Sequence, residues 1–459
     1  MVDKASNRTR WELLPVIMAL AWPTMLEQLL QTTVQYIDTA MVGSLGTAVT
    51  AAVGATGTIN WLISGTVSAL GVGFLAMLAQ ADGAQNRTQT AKVAAQAVLV
   101  VLVAGIFFTV VTLSVSPYIP VWMQAEESIR SMASRYFFIL YLPMLPRTAT
   151  IIFGTALRAV GDTKTPMWIG LGVNMLNVIL NPLLIYPTRQ LVLLGYTVVL
   201  PGLGWGVEGA AIASAVAFAA GGVCMTIQFW KNPILCPGST KITLDWAVLK
   251  PCLRIAFPNM LQRFGTSMGY VVFASLINGL GAVATAANTI ANTVESAFYI
   301  PGYGMQTAAA TLVGNAYGAK DKNRMQSVSR LLISLEVGLM LVSGGLLFAF
   351  APNMMGIFSD SPEVIALGTT VLRMVAVSEP FFGVTIIIQG ILQGVGNTKT
   401  AFWFDVSCMW GVRILGTLLC TGLWHMGLVS AWACMICHNL VLFGLFIAYY
   451  KRGCWNTLN

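Results

Sequence analysis

Twelve apolar runs alternate with short polar segments along the chain, and each run is long enough to cross a membrane as a helix. A bilayer core of ~30 Å needs about 20 apolar helical residues. The runs lie near residues 13–38, 50–78, 91–115, 132–156, 166–187, 206–230, 252–277, 284–312, 328–351, 364–392, 402–422 and 426–450. The pattern predicts an all-α polytopic membrane protein with twelve transmembrane helices.

The first run carries two acids on one helical face. At ~100° per residue, five polar positions fall within about 80° of one another. These positions are Thr24, Glu27, Gln31, Gln35 and Asp38. An ionised carboxylate in hydrocarbon costs ~3 kcal/mol, so such residues usually face a bundle interior or a watery cavity. Two simpler explanations stay open: Asp38 lies at the headgroup level, and Glu27 makes a structural hydrogen bond between helices.

Charged residues make up 9% of the chain and hydrophobic residues 56%, whereas soluble domains have about 25% charged residues. Most lysines and arginines fall in alternate loops, as the positive-inside rule requires. The bias predicts a multi-pass plasma-membrane protein (inner membrane in a bacterium) with both termini cytoplasmic. It places Arg189 and Ser361 outside and Ser239 and Lys320 in the cytoplasm. The net charge of +8 is therefore an orientation signal, and no nucleic-acid partner is expected.

The chain is an internal duplication with a constant offset of 235 residues. The offset pairs AWPTML at 21–26 with AFPNML at 256–261, and GDTKT at 161–165 with GNTKT at 396–400. Because six is an even number, both halves enter the membrane from the same side, as parallel repeats about a pseudo-two-fold axis along the membrane normal. The repeat predicts two six-helix bundles, residues 1–235 and 236–459, with a substrate cavity between them.

The two halves differ in their polar residues. The fifth helix carries three amides on one face, namely Asn174, Asn177 and Asn181, and their counterparts at 409, 412 and 416 are not polar. The eighth helix carries four polar residues on one face: Asn288, Asn292, Glu295 and Tyr299. Glu379 in the tenth helix has no acidic counterpart either. This asymmetry predicts a carboxylate-plus-amide site in the first half and a different polar site in the second.

Carboxylate and amide oxygens suit Na⁺ or a proton rather than a soft metal ion. Residues 434–438 spell the C-x-x-C-H haem-attachment string, but the string lies in the middle of a predicted helix, so no haem is expected. The G-x-x-x-x-G-K-[ST] phosphate-binding sequence does not occur, and ATP bound to this chain is not the energy source. With no nucleophile–base pair in view, we expect neither enzyme activity nor a cofactor beyond a coupling ion.

Five motifs resemble the multidrug and toxic-compound extrusion family. They are IDTAMVG at 37–43, RAVGDTKTP at 158–166, NVILNPLLI at 177–185, LVGNAYGA at 312–319 and QGVGNTK at 393–399. The resemblance covers nearly the whole chain, in the order found in the family. It implies an exporter in which inward Na⁺ or H⁺ is exchanged for small, amphipathic, mostly cationic compounds. We expect the chain to act as a monomer in the lipid bilayer.

The resemblance also implies roles for individual residues. Asp38 is the expected coupling acid, with Asn177 and Asn181 beside it as ligands for H⁺ or Na⁺. From the shared helical faces alone, we add Gln35 and Asn174 as further neutral neighbours. The same polar faces lead us to expect a substrate cavity with the polar residues Glu27, Gln31, Asn288, Asn292, Glu295, Tyr299 and Glu379. Some relatives bind the cation through a Glu on helix 7 and an Asp on helix 10. This chain has Thr266 and Phe382 there, so a second-half site of that kind is not expected.

Two alternatives to an exporter stay open. A flippase for lipid-linked precursors of the same superfamily needs a strongly basic cavity, and few arginines, Arg147, Arg263 and Arg413 among them, lie well inside predicted helices. A membrane receptor that does not transport needs a ligand domain or a signalling tail, and the loops here are short. Neither alternative matches the sequence as well as an antiporter does.

Overall fold

Long helices occupy most of the chain. The computed structural model describes residues 10–123, 125–193, 196–238, 240 and 242–456. The α-helices in chain order are α1 Arg10–Gly43, α2 Thr47–Gly83, α3 Arg87–Val115, α4 Ile119–Trp122, α5 Glu127–Tyr141, α6 Met144–Ala159, α7 Lys164–Ile185, α8 Gly206–Lys231, α9 Trp246–Asn278, α10 Ala282–Gly318, α11 Lys322–Phe358, α12 Pro362–Val395, α13 Thr398–Cys408, α14 Leu415–Leu418 and α15 Leu428–Lys451. Every apolar run expected to span the membrane falls on a helix, so the all-α polytopic fold is confirmed.

Two of the predicted spans are interrupted. The span predicted at 132–156 consists of α5 and α6, which meet at an angle of 50°. Pro143 lies at the break, where it removes a backbone donor. The span predicted at 402–422 contains π-helical turns at Met409–Ile414 and Leu419–Leu423. Counting α5 with α6 as one, up to ten spans in the described part of the chain are long and apolar enough to cross a membrane.

A β-hairpin joins α7 and α8, where the sequence predicted only a loop. Strand β1 covers Pro187–Leu193 and pairs antiparallel with β2, Tyr196–Leu203. Both strands are rich in Val and Leu, residues that favour extended structure on a pleated surface. The Val- and Leu-rich composition of this segment therefore indicated strands, and the sequence analysis missed it because it searched for membrane-spanning helices.

The helices form two compact units. Unit 1 comprises Met1–Gln28, Leu75–Arg87 and Lys250–Asn459, and unit 2 comprises Leu29–Phe74 and Thr88–Leu249. The sequence halves 1–235 and 236–459 follow the repeat, and as domains they stay a prediction. The packing units differ from these halves because the first part of α1 and the last part of α2 pack with α10 in unit 1.

Glycines allow these close approaches in unit 1. A Cβ added to Gly83 of α2 would collide with the backbone of Asn315 in α10, and one added to Gly318 would collide with the backbone of Gln80. At the start of α1, the Thr24 hydroxyl donates to the carbonyl of Gly304 at 2.9 Å. Small residues and interhelical hydrogen bonds are the usual means of association in a bilayer, where apolar surface alone gives no preference.

Unit 2 is held together in the same way around α7 and α8. A Cβ on Gly209 of α8 would meet the backbone of Leu184, and one on Gly222 would meet Pro146 of α6. Because α8 lies this close to α7, the polar face of α7 has α8 on one side. Asn177 and Asn181 of α7 are therefore buried inside this unit.

Candidate functional site

Asp38 on α1 meets the asparagines of α7 inside unit 2. Asn181 Nδ2 donates to Asp38 Oδ1 at 2.6 Å and lies 3.0 Å from Asn177 Oδ1. Asn181 is 1% exposed and Asn177 5%, whereas Asp38 is half-buried. The spacing of four residues puts both amides on one face of the helix. The structure thus brings together the acid and the two amides that the sequence analysis had grouped.

The terminal amide of Asn177 lies within hydrogen-bond distance of Asp38 in either of its two orientations. With the oxygen toward Asp38, Nδ2 donates to Ser214 Oγ on α8 at 2.9 Å. With the amide turned by 180°, Nδ2 lies 2.8 Å from Asp38 Oδ1 and the oxygen accepts from Ser214 Oγ. An ionised Asp38 requires the second arrangement, whereas a protonated Asp38 can donate to the oxygen in the first.

The donor set around Asp38 is neutral. Among the described residues, the ion pairs are Arg87 with Asp82 and Arg135 with Glu208, and neither includes Asp38. Asn181 Oδ1 is buried and has no hydrogen-bond partner in the described part of the chain. A half-buried acid therefore lies beside an unused amide oxygen, and within the described residues neither group has a positively charged partner.

Two predicted neighbours of Asp38 do not join this cluster. Gln35 is exposed on α1, and Asn174 is half-buried on α7. Within the described residues, neither side chain is hydrogen-bonded to Asp38. Ser214, which does join the cluster through Asn177, was missed by the sequence analysis. It lies among small residues of α8, where a serine usually indicates close helix packing.

The polar stripe of α1 does not act as one surface. Thr24 and Glu27 belong to unit 1, and Gln31 belongs to unit 2 together with Asp38. Thr24 is used in a helix–helix hydrogen bond. Glu27 is half-buried and has interactions of its own, whereas Gln31 is exposed. The structure therefore separates the stripe into a structural part near the start of the helix and a cation-binding candidate near its end.

In unit 1, acids and tyrosines converge from α10 and α12. The Tyr299 ring packs edge-on against Phe382 at 5.7 Å and against Tyr303 at 6.0 Å between ring centres. Tyr299 interacts electrostatically with Glu295 and Glu379. Glu295 is 8% exposed and Glu379 1%. The three predicted residues Glu295, Tyr299 and Glu379 thus form one cluster, which we call the glutamate–tyrosine cluster.

The remaining predicted polar residues of α10 have simpler surroundings. Asn288 is buried and accepts a hydrogen bond from Trp432 Nε1 of α15 at 3.0 Å. This bond fixes one helix against another, which gives Asn288 a structural explanation. Asn292, one turn later, is half-buried.

Two buried acids of unit 1 were not among the predicted site residues. Glu336 of α11 is fully buried beside Gly302 and Gly383, and its carboxyl oxygens have no hydrogen-bond partner among the described residues. Asp405 of α13 accepts from Gln389 Nε2 at 3.0 Å and also from Gln262 Nε2. Their lack of acidic counterparts in the first half of the repeat was the available sequence signal. Among polar side chains, each acid shares its helical face only with hydroxyls, Ser329 and Ser343 for Glu336 and Thr398 for Asp405, and no amide or second acid accompanies it there.

The acids of unit 1 do not form a conventional metal centre. Among the described residues, no three His, Cys, Asp or Glu side chains are grouped to hold a metal ion. Arg413 interacts electrostatically with Glu295, and Arg263 with Asp405. Two of the acids therefore have a cationic neighbour, in contrast to Asp38.

Comparison with known proteins gives concordant matches. A family model described as MatE matches the chain twice, over residues 23–183 and 258–419. Over 442 residues the chain is 26% identical to the probable multidrug resistance protein NorM of Thermotoga maritima, covering 96% of this chain and 92% of that protein. A solved MOP superfamily transporter from Pyrococcus furiosus shares the fold, with a TM-score of 0.86, 21% identity and 96% of each chain covered. A solved outward-facing multidrug resistance MATE family transporter gives a TM-score of 0.86 at 21% identity, over 97% of this chain and 96% of that one.

Proposed function

The chain belongs to the MatE family of transporters, and from this premise we propose that it is a multidrug exporter that exchanges small organic compounds for an inward-moving cation. The observation that carries the proposal is the cluster of Asp38, Asn177 and Asn181. This cluster has one ionisable group, an unused amide oxygen and no cationic partner in the described chain. Because no fixed cation neutralises Asp38, the site is suited to bind a mobile cation in one step of the cycle and to release it in another. The direct test is gradient-driven efflux from vesicles.

Antiport requires that the driving ion bind more tightly in one conformation of the transporter than in the other. Asp38 is half-buried, and a carboxylate loses hydration when a helix bundle closes around it. A bound cation offsets that loss, so closure and cation binding favour each other. Na⁺ and H⁺ both satisfy this chemistry. Na⁺ would use the oxygens of Asp38 and Asn181, and H⁺ would use the hydrogen bond to Asn177.

The glutamate–tyrosine cluster supports amphipathic organic cations as substrates. A cation over an aromatic face gains about 0.5–2 kcal/mol, and buried carboxylates add attraction for the charge. Tyr299 and Phe382 supply aromatic rings 5.7 Å apart, next to Glu295 and Glu379. Apolar rings with a few acids suit hydrophobic cations, a class broad enough for a multidrug exporter.

Neutralising Glu295 should discriminate between substrate classes. We expect Glu295→Gln to weaken the binding of a lipophilic organic cation about tenfold and to change the affinity for a neutral compound of similar shape much less. The measurement is equilibrium binding to purified protein in nanodiscs. Asp405→Asn is the matched control, because Asp405 already accepts hydrogen bonds from two glutamines. Equal losses for both compounds in Glu295→Gln would instead indicate a structural role.

The charge bias of the loops predicts the orientation in the plasma membrane. Single cysteines at positions 189 and 361 should react with an impermeant thiol reagent in intact cells, in a background without the eight native cysteines. Cysteines at positions 239 and 320 should react only after the cells are opened. Arg189 lies in β1, Ser361 precedes α12 and Lys320 follows α10, whereas Ser239 lies outside the described residues. Labelling of position 320 in intact cells would reverse the topology.

A lipid-linked precursor flippase is less well supported. Such a flippase needs an interior with a strong positive field for the phosphate groups of its substrate. Arg263 and Arg413, both in unit 1, each have an acid within electrostatic reach. That pairing leaves a mixed interior in unit 1, which fits organic cations better than phosphates.

A further inference from the structure

Arg147 is a charged side chain inside unit 2 that the proposed coupling site does not use. It lies near the start of α6 and is half-buried. Its Nη2 donates to Ser64 Oγ at 2.8 Å and to Asn60 Oδ1 at 3.2 Å, both on α2. The Tyr141 hydroxyl donates to the same Asn60 oxygen at 2.7 Å. The guanidinium is thus held in one place by neutral groups.

Aromatic rings fix the plane of the guanidinium. Its Cζ lies 4.7 Å from the centre of the Phe218 ring and 5.4 Å from that of Tyr141. The Nη1 atom is buried and has no hydrogen-bond partner in the described part of the chain. One edge of the guanidinium is therefore occupied by Asn60 and Ser64, and a donor on the other side is unused.

The charge of Arg147 has no counterpart within ion-pair distance. Among the described residues, the two ion pairs involve Arg87 and Arg135, not Arg147. In unit 1, Arg263 interacts electrostatically with Asp405, and Arg413 with Glu295. An arginine in a membrane bundle is costly and is usually paired or functional. Arg147 differs from Arg263 and Arg413 in this respect.

A purely structural role explains the position of Arg147 but not its charge. The hydrogen bonds to Asn60 and Ser64 tie α6 to α2, and a neutral glutamine could make similar ones without the cost of burying a cation. A guanidinium offers a planar fork of donors that fits a carboxylate better than any neutral side chain does. The unused donor and the uncompensated charge together point to an anionic ligand.

We propose that Arg147 is a binding subsite for the carboxylate of amphipathic substrates that carry both a positive and a negative group. This inference rests on the proposed export function and specifies one class of its substrates. Asp38 lies in the same unit, and Tyr136 interacts electrostatically with both Asp38 and Arg147. Unit 2 therefore holds an acidic side chain, Asp38, and a cationic one, Arg147, that both act on the same tyrosine. A singly charged carboxylate matches a single arginine, whereas a phosphate dianion would need more positive charge.

The test compares two dyes that differ only at the carboxylate. One is a rhodamine with a free benzoate group, and the other is the methyl ester of the same rhodamine. Fluorescence anisotropy gives the Kd of each dye for the purified full chain in nanodiscs. In Arg147→Gln we expect the Kd of the free-acid dye to rise about tenfold to a hundredfold, the range of a charge-assisted hydrogen bond. The Kd of the ester should change less than about threefold.

Two further variants keep the test decisive if Arg147→Gln does not fold. Arg147→Lys keeps the charge without the planar fork, and its Kd for the free-acid dye should lie between those of the wild type and the glutamine variant. Ser64→Ala removes one bond that holds the guanidinium and should weaken only the free-acid dye. Arg263→Gln, which removes a guanidinium in unit 1, is the matched control and should change both dyes by the same factor.

Equal losses for both dyes in the Arg147 variants, or no loss for either, would overturn the proposal. Failure of the wild type to bind the free-acid dye would overturn it as well. Because binding at equilibrium needs no gradient, these outcomes are independent of whether the protein is a coupled exporter. A protein that binds both dyes as predicted but shows no gradient-driven efflux would contradict the proposed function and leave the Arg147 subsite standing.

Discussion

Replacing Asp38 with Asn should abolish gradient-driven efflux while leaving a folded protein in the membrane. The side chain keeps its volume and one carbonyl oxygen, so the hydrogen bond from Asn181 can form at the position it has now, 2.6 Å from the oxygen. The amide cannot carry a negative charge and cannot release a proton. Without an ionisable group at position 38, the coupling cation should no longer distinguish between the two conformations of the transporter. A ligand with equal affinity for two conformations does not shift the equilibrium between them, so the ion gradient should no longer drive the cycle.

The measurement for this variant is the initial rate of dye efflux from energised cells, normalised to the amount of protein in the membrane. We expect the rate to fall to that of cells without the transporter. Glu27→Gln is the matched control, because it neutralises another acid of α1, which belongs to unit 1. That variant should retain its dependence on the gradient. If the pattern is reversed, Glu27 is the coupling acid and the assignment of Asp38 is wrong.

Removing the amide of Asn181 should weaken the binding of the coupling ion more than any other substitution on α7. Asn181 is 1% exposed and contacts both Asp38 and Asn177. Asn181→Ala deletes the hydrogen bond to the carboxylate and the unused oxygen beside it. Hydrogen bonds to charged groups are worth about 1.5–3 kcal/mol. We therefore expect the concentration of driving ion that gives half-maximal efflux to change by about tenfold to a hundredfold.

Asn174→Ala is the internal control for this prediction. Asn174 is on the same helix and half-buried, and within the described residues it makes no hydrogen bond to Asp38. Its removal should change the half-maximal ion concentration by less than about twofold. The comparison is made from efflux rates at a series of external pH values and Na⁺ concentrations. Equal effects of the two variants would show that the amide face of α7 acts through helix packing.

The helices and the grouping of Asp38 with Asn177 and Asn181 could be predicted from the sequence because the bilayer restricts both. A helix that crosses hydrocarbon has a minimum length, and a charge within it is too costly to occur without a reason. Those two constraints select the twelve runs and Asp38. The spacing of Asn177 and Asn181 then fixes their common face. No comparable constraint applies to the segment between α7 and α8, where the hairpin of β1 and β2 was missed.

Partners that depend on tertiary contacts could not be predicted. Ser214 comes to Asn177 only because α8 packs against α7, and Glu336 and Asp405 are isolated acids in their own helices. The polar stripe on α1 looked continuous because helical periodicity gives the direction in which each side chain points but not the residues that it contacts. In the structure the Thr24 hydroxyl donates a hydrogen bond to the Gly304 carbonyl. Only the end of the stripe, at Asp38, contributes an acid to unit 2.

The central claim is that a cation gradient acting through Asp38 drives substrate movement. Purified wild-type protein and Asp38→Asn are placed in liposomes with a lipophilic fluorescent cation, and an H⁺ gradient or a Na⁺ gradient is imposed separately at zero membrane potential. The wild type should accumulate the dye against its own gradient under at least one of the two ion gradients, and Asp38→Asn under neither. Uphill transport by Asp38→Asn at the wild-type rate, or none by the wild type under either gradient, would contradict the claim.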